Sequence, residues 1–134
     1  MREILFKAKR KDNGKWVEGY YFVSTFGNHF VLKTGAIPLD FPPHEVEVDK
    51  KTVCQYTGWK DKQGQKIFEK DLILREFDKL IVLWNEQQGK FDLYTKNNSC
   101  IYGGNQDTMK LCEVAGNIYD LEDIVIKIEM ENKQ

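Results

Sequence analysis

The run from Thr52 to Leu74, TVCQYTGWKDKQGQKIFEKDLIL, constrains the fold of this chain more than any other segment. It joins a strand-like stretch, a glycine-punctuated turn and an acidic aromatic corner in close succession. Gly58 and Gly64 permit backbone angles that other residues resist, and Asp61 is placed to bond its own downstream backbone in a tight turn. Phe68, Glu69 and Asp71 follow at the corner, where acidic side chains can accept from free backbone amides as a new strand starts. The motif residues Gly58, Asp61, Gly64, Phe68, Glu69 and Asp71 therefore read as shapers of backbone.

Strand signals outnumber helix signals along the rest of the chain. Glu3 to Lys9 carries β-prone apolar residues, Asp12, Asn13 and Gly14 supply the turn of a hairpin, and Trp16 to Val23 returns as the second strand. In that return strand Trp16, Glu18, Tyr20 and Phe22 share one face, while Val17, Gly19, Tyr21 and Val23 share the other. Neither face is wholly polar, so both are expected to be covered. His29 to Lys33 reads as a third strand. Pro38, Pro42 and Pro43 then mark an irregular crossing loop, the segment best suited to move. Glu45 to Val48 and Thr52 to Tyr56 read as short edge strands, followed by a connection from Gly58 to Gly64 that leaves Trp59 in an exposed loop. Further strands are predicted at Leu72 to Arg75, Leu80 to Trp84, Lys90 to Thr95 and Leu111 to Ala115, with a turn at Gln88 and Gly89. Ile118 to Ile128 is open between a short helix started by Asp120 and a final strand favoured by Val125, Ile126 and Ile128.

The pattern predicts an α+β, mostly β fold: an N-terminal β-hairpin layer over about residues 1–50, packed on a small SH3-like barrel over about residues 52–128. A short helix near the C-terminus remains an option. At 134 residues the chain suits one compact domain. With 41% hydrophobic and 31% charged residues it matches neither a disordered tail nor a membrane protein. The N-terminal MREILFKAKRK lacks the apolar core of a signal peptide, so a cytoplasmic location is expected. Cys54, Cys100 and Cys112 are odd in number and form no CxxC pair, which fits reduced thiols. His29 and His44 are far apart and have no cysteine pair beside them, so neither a metal nor a cofactor is expected.

The opening MREILFKAKRKDNGKWVEGYY, the central TVCQYTG followed by KDKQGQKIFEKDLI, and the late EVAGNIY from Glu113 to Tyr119 together resemble the YopX family of bacteriophage and prophage proteins. The chain departs from the family pattern at Cys54, where a small residue is usual, and at Lys70, where glycine is usual. The resemblance implies a small, mostly β protein of a mobile genetic element, and it brings no activity with it.

Charge is uneven although the net charge is −1. Arg2, Lys7, Lys9, Arg10, Lys11 and Lys15 outnumber Glu3 and Asp12 between Met1 and Trp16, and acids outnumber bases to the same degree beyond Leu111. Such a basic hairpin can face a partner, let two copies meet with opposite charges opposed, or be a solvated face. Aromatic residues are frequent, and Trp59 between Gly58 and Lys60 can either contact a partner or fold back to cap the barrel. These features point to a non-enzymatic module for a host or phage protein, with Tyr56, Trp59, Lys60, Lys9, Arg10 and Lys11 as its contacts. One alternative is a nucleic-acid-binding module that stacks bases on aromatic rings beside basic loops. A second is a hydrolytic or metal-dependent enzyme using Glu69 and Asp71, which lack a third carboxylate or histidine nearby in sequence. A self-assembling homo-oligomer is a further option. The phosphate-loop and G-x-S-x-G patterns are absent, and no membrane contact is expected.

Overall fold

A computed structural model describes residues 4–33, 45–76, 78–95 and 100–120, with the side chains of all of these but 100–102. The chain divides into two compact units, Met1–Gly58 and Trp59–Gln134. The division falls inside the strand Cys54–Lys60. The predicted proline loop and most of the segment from Ile118 to Ile128 lie outside the described residues.

The first unit grows from its predicted hairpin. Strand β1 (Phe6–Lys9) pairs antiparallel with β2 (Trp16–Val23), Phe6 opposite Gly19 and Lys9 opposite Trp16. The turn closes because Asn13 Oδ1 accepts from the Lys15 amide at 2.9 Å and Gly14 takes a φ of +73°, a region that costs glycine nothing. Strand β3 (His29–Lys33) returns along β2, and β4 (Glu45–Glu47) returns along β3. The sheet curls, since Arg10 bridges Val48 and the Asp49 amide donates to the Lys9 carbonyl at 2.8 Å. A curled sheet leaves little interior room, and its core is made of Ala8, Val17, Val31 and Val48, with Val46 and Val53 packed against it. Each buried valine contributes about 1.5–2 kcal/mol. Gly19 meets the same constraint: a β-carbon there would lie 1.9 Å from the Leu32 carbonyl oxygen. After a 3₁₀ turn at Lys50–Thr52, β5 (Cys54–Lys60) pairs with the other side of β1. Buried Thr52 secures that turn, its hydroxyl accepting from the Lys9 amide and donating to the Asp49 carbonyl, both at 2.8 Å.

In the second unit, β6 (Lys66–Phe68) follows β5 in the strand order, and an open antiparallel sheet has the order β10-β9-β8-β7-β11. Its strands are β7 (Asp71–Arg75), β8 (Asp78–Asn85), β9 (Lys90–Tyr94), β10 (Cys100–Gly103) and β11 (Glu113–Asn117). The protein is mostly β in two antiparallel sheets, as expected, and no closed barrel is defined among the described residues. Ile67, Ile73, Leu80, Val82, Phe91, Leu93, Met109 and Cys112 form the core, with Trp59 and Val114 packed against it. Met109 enters this core from a single helical turn, α1 (Gln106–Met109), whose first amides are met by Asn105 accepting from Thr108 N at 2.8 Å. Neither β10 nor α1 was predicted. Trp59 also differs from expectation: it lies in β5, half-buried, and not in a loop.

Candidate functional site

The central motif forms a bonded corner. Asp61 is 5% exposed, and its Oδ1 accepts from the amides of Gln63 and Gln65, each at 2.9 Å. Its Oδ2 accepts from Val114 N at 3.0 Å, so one carboxylate ties the 61–65 turn to β11. Burial alone would raise the Asp61 pKa, but the amides of Val114, Gln65 and Gln63 and the charge of Lys62 outweigh it and hold the group below its ordinary value. Asp92 is arranged alike. Burial opposes its ionisation, while the Asn85 side chain, the Gly104 amide and Lys90 outweigh burial and lower its pKa.

At the acidic corner, Asp71 is fully buried; its Oδ2 accepts from Phe68 N at 2.8 Å and its Oδ1 from Asn117 Nδ2 at 3.0 Å. Both oxygens are therefore engaged in joining β6 to β11. Among the described residues, no group of three or more His, Cys, Asp or Glu is gathered as a metal would require. The Cys112 thiol is buried, which raises its pKa despite Arg75, with Asp61 adding to the rise. A raised thiol is a poor nucleophile at neutral pH.

Lys70 has a φ of +67°, in the left-handed region that favours glycine. Its amide donates to the Val82 carbonyl at 2.7 Å, its carbonyl accepts from Ile118 N at 3.1 Å, and its Nζ donates to the Tyr119 hydroxyl at 2.8 Å. Glycine would relieve about 1 kcal/mol of backbone strain but would give up the Tyr119 contact. Lys70→Val, with a branched side chain at positive φ, is expected to be about 2 kcal/mol less stable than Lys70→Gly by urea denaturation.

The residues singled out as contacts fall in both units. Tyr56 is 5% exposed. Trp59 packs edge-on against Phe91, ring centroids 6.4 Å apart. Lys60 is held through its backbone, where Gln106 accepts from its amide at 3.1 Å and donates to its carbonyl at 2.9 Å. In the basic hairpin, Lys9 Nζ lies 5.5 Å from the Trp16 ring centre, Arg10 makes a two-pronged bond to Asp12, and Lys11 is 3.4 Å from Glu47. Arg10 and Lys11 also line an open recess of about 330 Å³ with Asp12, Glu45, Val46 and Glu47, where carboxylates outnumber cations.

A surface that sequence reasoning missed lies on the β2–β3 hairpin. Tyr20 is 56% exposed, Phe22 40% and Leu32 37%, and at the tip Phe26 is 92% exposed. The register sets Tyr20 opposite Leu32 and Phe22 opposite Phe30, and the two phenylalanine rings stack at 5.4 Å. The expectation that both faces of β2 are covered does not hold at Tyr20 and Phe22. A signal was present: Tyr20 through Leu32 contains no Asp, Glu, Lys or Arg in a chain that is 31% charged. An exposed strand pair without charge is a rare surface for a protein to leave in water.

Two antiparallel sheets and a turn held by buried Asp61 define a small, mostly β protein. The chain belongs to the YopX protein family, whose model matches residues 5–122. A comparison with curated proteins found no match. Among the described residues, no helix is long and apolar enough to cross a membrane.

Proposed function

We propose that this YopX-family chain is a phage or prophage accessory protein that acts in the host cytoplasm as a non-enzymatic module binding a host or phage protein. The observation that carries this reading is the β2–β3 hairpin, with its exposed aromatic side chains and no charge from Tyr20 to Leu32. Aromatic anchors dominate the energy of protein interfaces, and charge is depleted at the centre of such patches. A nucleic acid would need cations among these rings to neutralise phosphate, and the stretch from Tyr20 to Leu32 carries none. The enzyme alternative loses support because both oxygens of Asp71 already accept hydrogen bonds within the fold.

The test is a photocrosslinking amino acid placed at Phe26, compared with one at exposed Lys110 in the second unit. A discrete protein adduct at Phe26 and none at Lys110 is the expected result in host cells. Equal adducts at both positions, or none at Phe26, would contradict the assignment.

A further inference from the structure

We infer that the partner of the β2–β3 hairpin binds as an added β-strand, an extended uncharged segment of another protein that pairs with the open edge of β2 at Tyr21 and Val23. The inference rests on the reading of this hairpin as a contact surface and adds the form in which the partner is held. Two ladders set the direction in which each backbone group of β2 points. At the β2–β3 turn the Ser24 amide donates to the Asn28 carbonyl at 2.8 Å. Bonded pairs alternate along an antiparallel ladder, so Phe22 with Phe30 and Tyr20 with Leu32 are the next bonded pairs in the register. At the β1–β2 turn the Arg10 amide donates to the Lys15 carbonyl at 2.9 Å, and the same alternation gives Ala8 with Val17 and Phe6 with Gly19. The two ladders agree. Tyr20 and Phe22 turn their amides and carbonyls to β3, whereas Val17, Gly19, Tyr21 and Val23 turn theirs to the β1 side.

The β1 ladder stops at Phe6, while β2 continues through Val23. The next position along, Ile4, makes no backbone bond to Tyr21 among the described residues. The backbone groups of Tyr21 and Val23 therefore lie on an edge with no strand against it among the described residues. Proteins blunt such an edge with lysine, proline or a bulge, because it is a template for another backbone. Tyr20 to Val23 contains neither residue, and its register with β3 is unbroken. A ligand that meets both residues must itself be extended, with affinity from main-chain bonds and specificity from alternate side chains. The position facing Phe22 falls in a non-bonded pair, where Cα atoms come within about 4.5 Å, so a side chain there packs beside exposed Tyr20 and Phe22. The stretch from Tyr20 to Leu32 bears no charge, and a charged side chain at that position would be covered without a partner. A second copy is a poor occupant. Pairing β2 with itself about Phe22 sets Gly19 of one copy, already met by Phe6, opposite Thr25 of the other, so each β1 runs into the turn of the other copy.

The test starts with amide exchange of the unaltered chain, followed by NMR. Tyr20 and Phe22 are expected to be protected while Tyr21 and Val23 exchange well ahead of them; protection at all four would mean that the edge is already filled and would overturn the inference. Random linear peptides displayed on yeast are then selected on the full chain. The expected binders have uncharged apolar residues at alternate positions, and a synthetic copy of one should protect Tyr21 and Val23 from exchange. Val23→Pro removes only an amide that points away from β3, and its ring obstructs the edge. It is expected to weaken the peptide at least about tenfold while Tyr20 and Phe22 stay protected, which shows the hairpin intact; Val23→Ala keeps the amide and should keep the peptide. N-methylation of the peptide at the residues facing β2 should give the same loss with the protein unaltered. A library that yields no binder, or a binder indifferent to both Val23→Pro and N-methylation, would overturn the inference. So would a dimer of the chain that Val23→Pro abolishes, which would give the edge to a second copy. The two readings fail separately. Phe26 adducts in host cells that persist in Val23→Pro remove the strand pairing and keep the contact surface, whereas the loss of every Phe26 adduct in the otherwise unaltered chain removes both.

Discussion

Gly104→Ala is expected to destabilise the second unit by about 3 kcal/mol in urea denaturation, while Gly103→Ala next to it stays within about 0.5 kcal/mol. A β-carbon on Gly104 would lie 1.8 Å from the Phe91 carbonyl oxygen and 2.4 Å from the far edge of the Trp59 ring. The ring can shift, but the Phe91 carbonyl belongs to β9 and cannot move without disturbing its pairing. The Gly104 amide also donates to Asp92 at 2.9 Å, so displacement weakens a buried charged hydrogen bond as well. At Gly103 the nearest atom to an added methyl would be the Lys90 ammonium, 3.6 Å away at the end of a flexible side chain. Equal stability of the two variants would mean that Trp59 is not seated against this glycine.

Asp61→Ala is the second large effect, expected to cost about 3 kcal/mol. It leaves the amides of Gln63, Gln65 and Val114 without their acceptor, each loss worth about 1–3 kcal/mol where water cannot replace the bond. Asp61→Asn keeps the shape and one acceptor oxygen, so about half of that loss is expected. The same geometry sets an acid limit. Asp61 and Asp92 are held below their ordinary pKa in the folded chain. Their stabilisation is complete above the unfolded value of about 4 and is lost as pH falls through the depressed folded values. Denaturation midpoints should be flat from neutral pH down to about 4 and fall below it, and Asp61→Asn should make that acid fall shallower. An unchanged slope in Asp61→Asn would remove Asp61 from the account.

Local chemistry explains what the sequence disclosed about the fold. The β1–β2 hairpin was legible because Asp12, Asn13 and Gly14 close it without distant help, and β7, β8 and β9 were legible because turns bound each apolar run. Trp59 was misplaced because Gly58 reads as a breaker, while the contacts that extend β5 through Lys60 come from Gln106, far along the chain. Helix α1 escaped notice because a single turn has no periodicity and announces itself by Asn105 alone. The contact residues were sought where charge and aromatics met in turns. What marks the β2–β3 surface is which side of β2 remains uncovered, and alternation along one strand cannot decide that. The curl of the first sheet decides it, since Ala8, Val17, Val31 and Val48 fill the inside and leave Tyr20 and Phe22 on the other face.

The measurement that tests the central claim most directly is affinity capture from host lysate with the unaltered chain and with Phe22→Ser/Phe26→Ser, each before and after nuclease. The account predicts defined protein bands that survive nuclease and fall about 30-fold in the variant, the scale of losing a hot-spot contact. Bands that persist unchanged in the variant, or that vanish with nuclease, would contradict it.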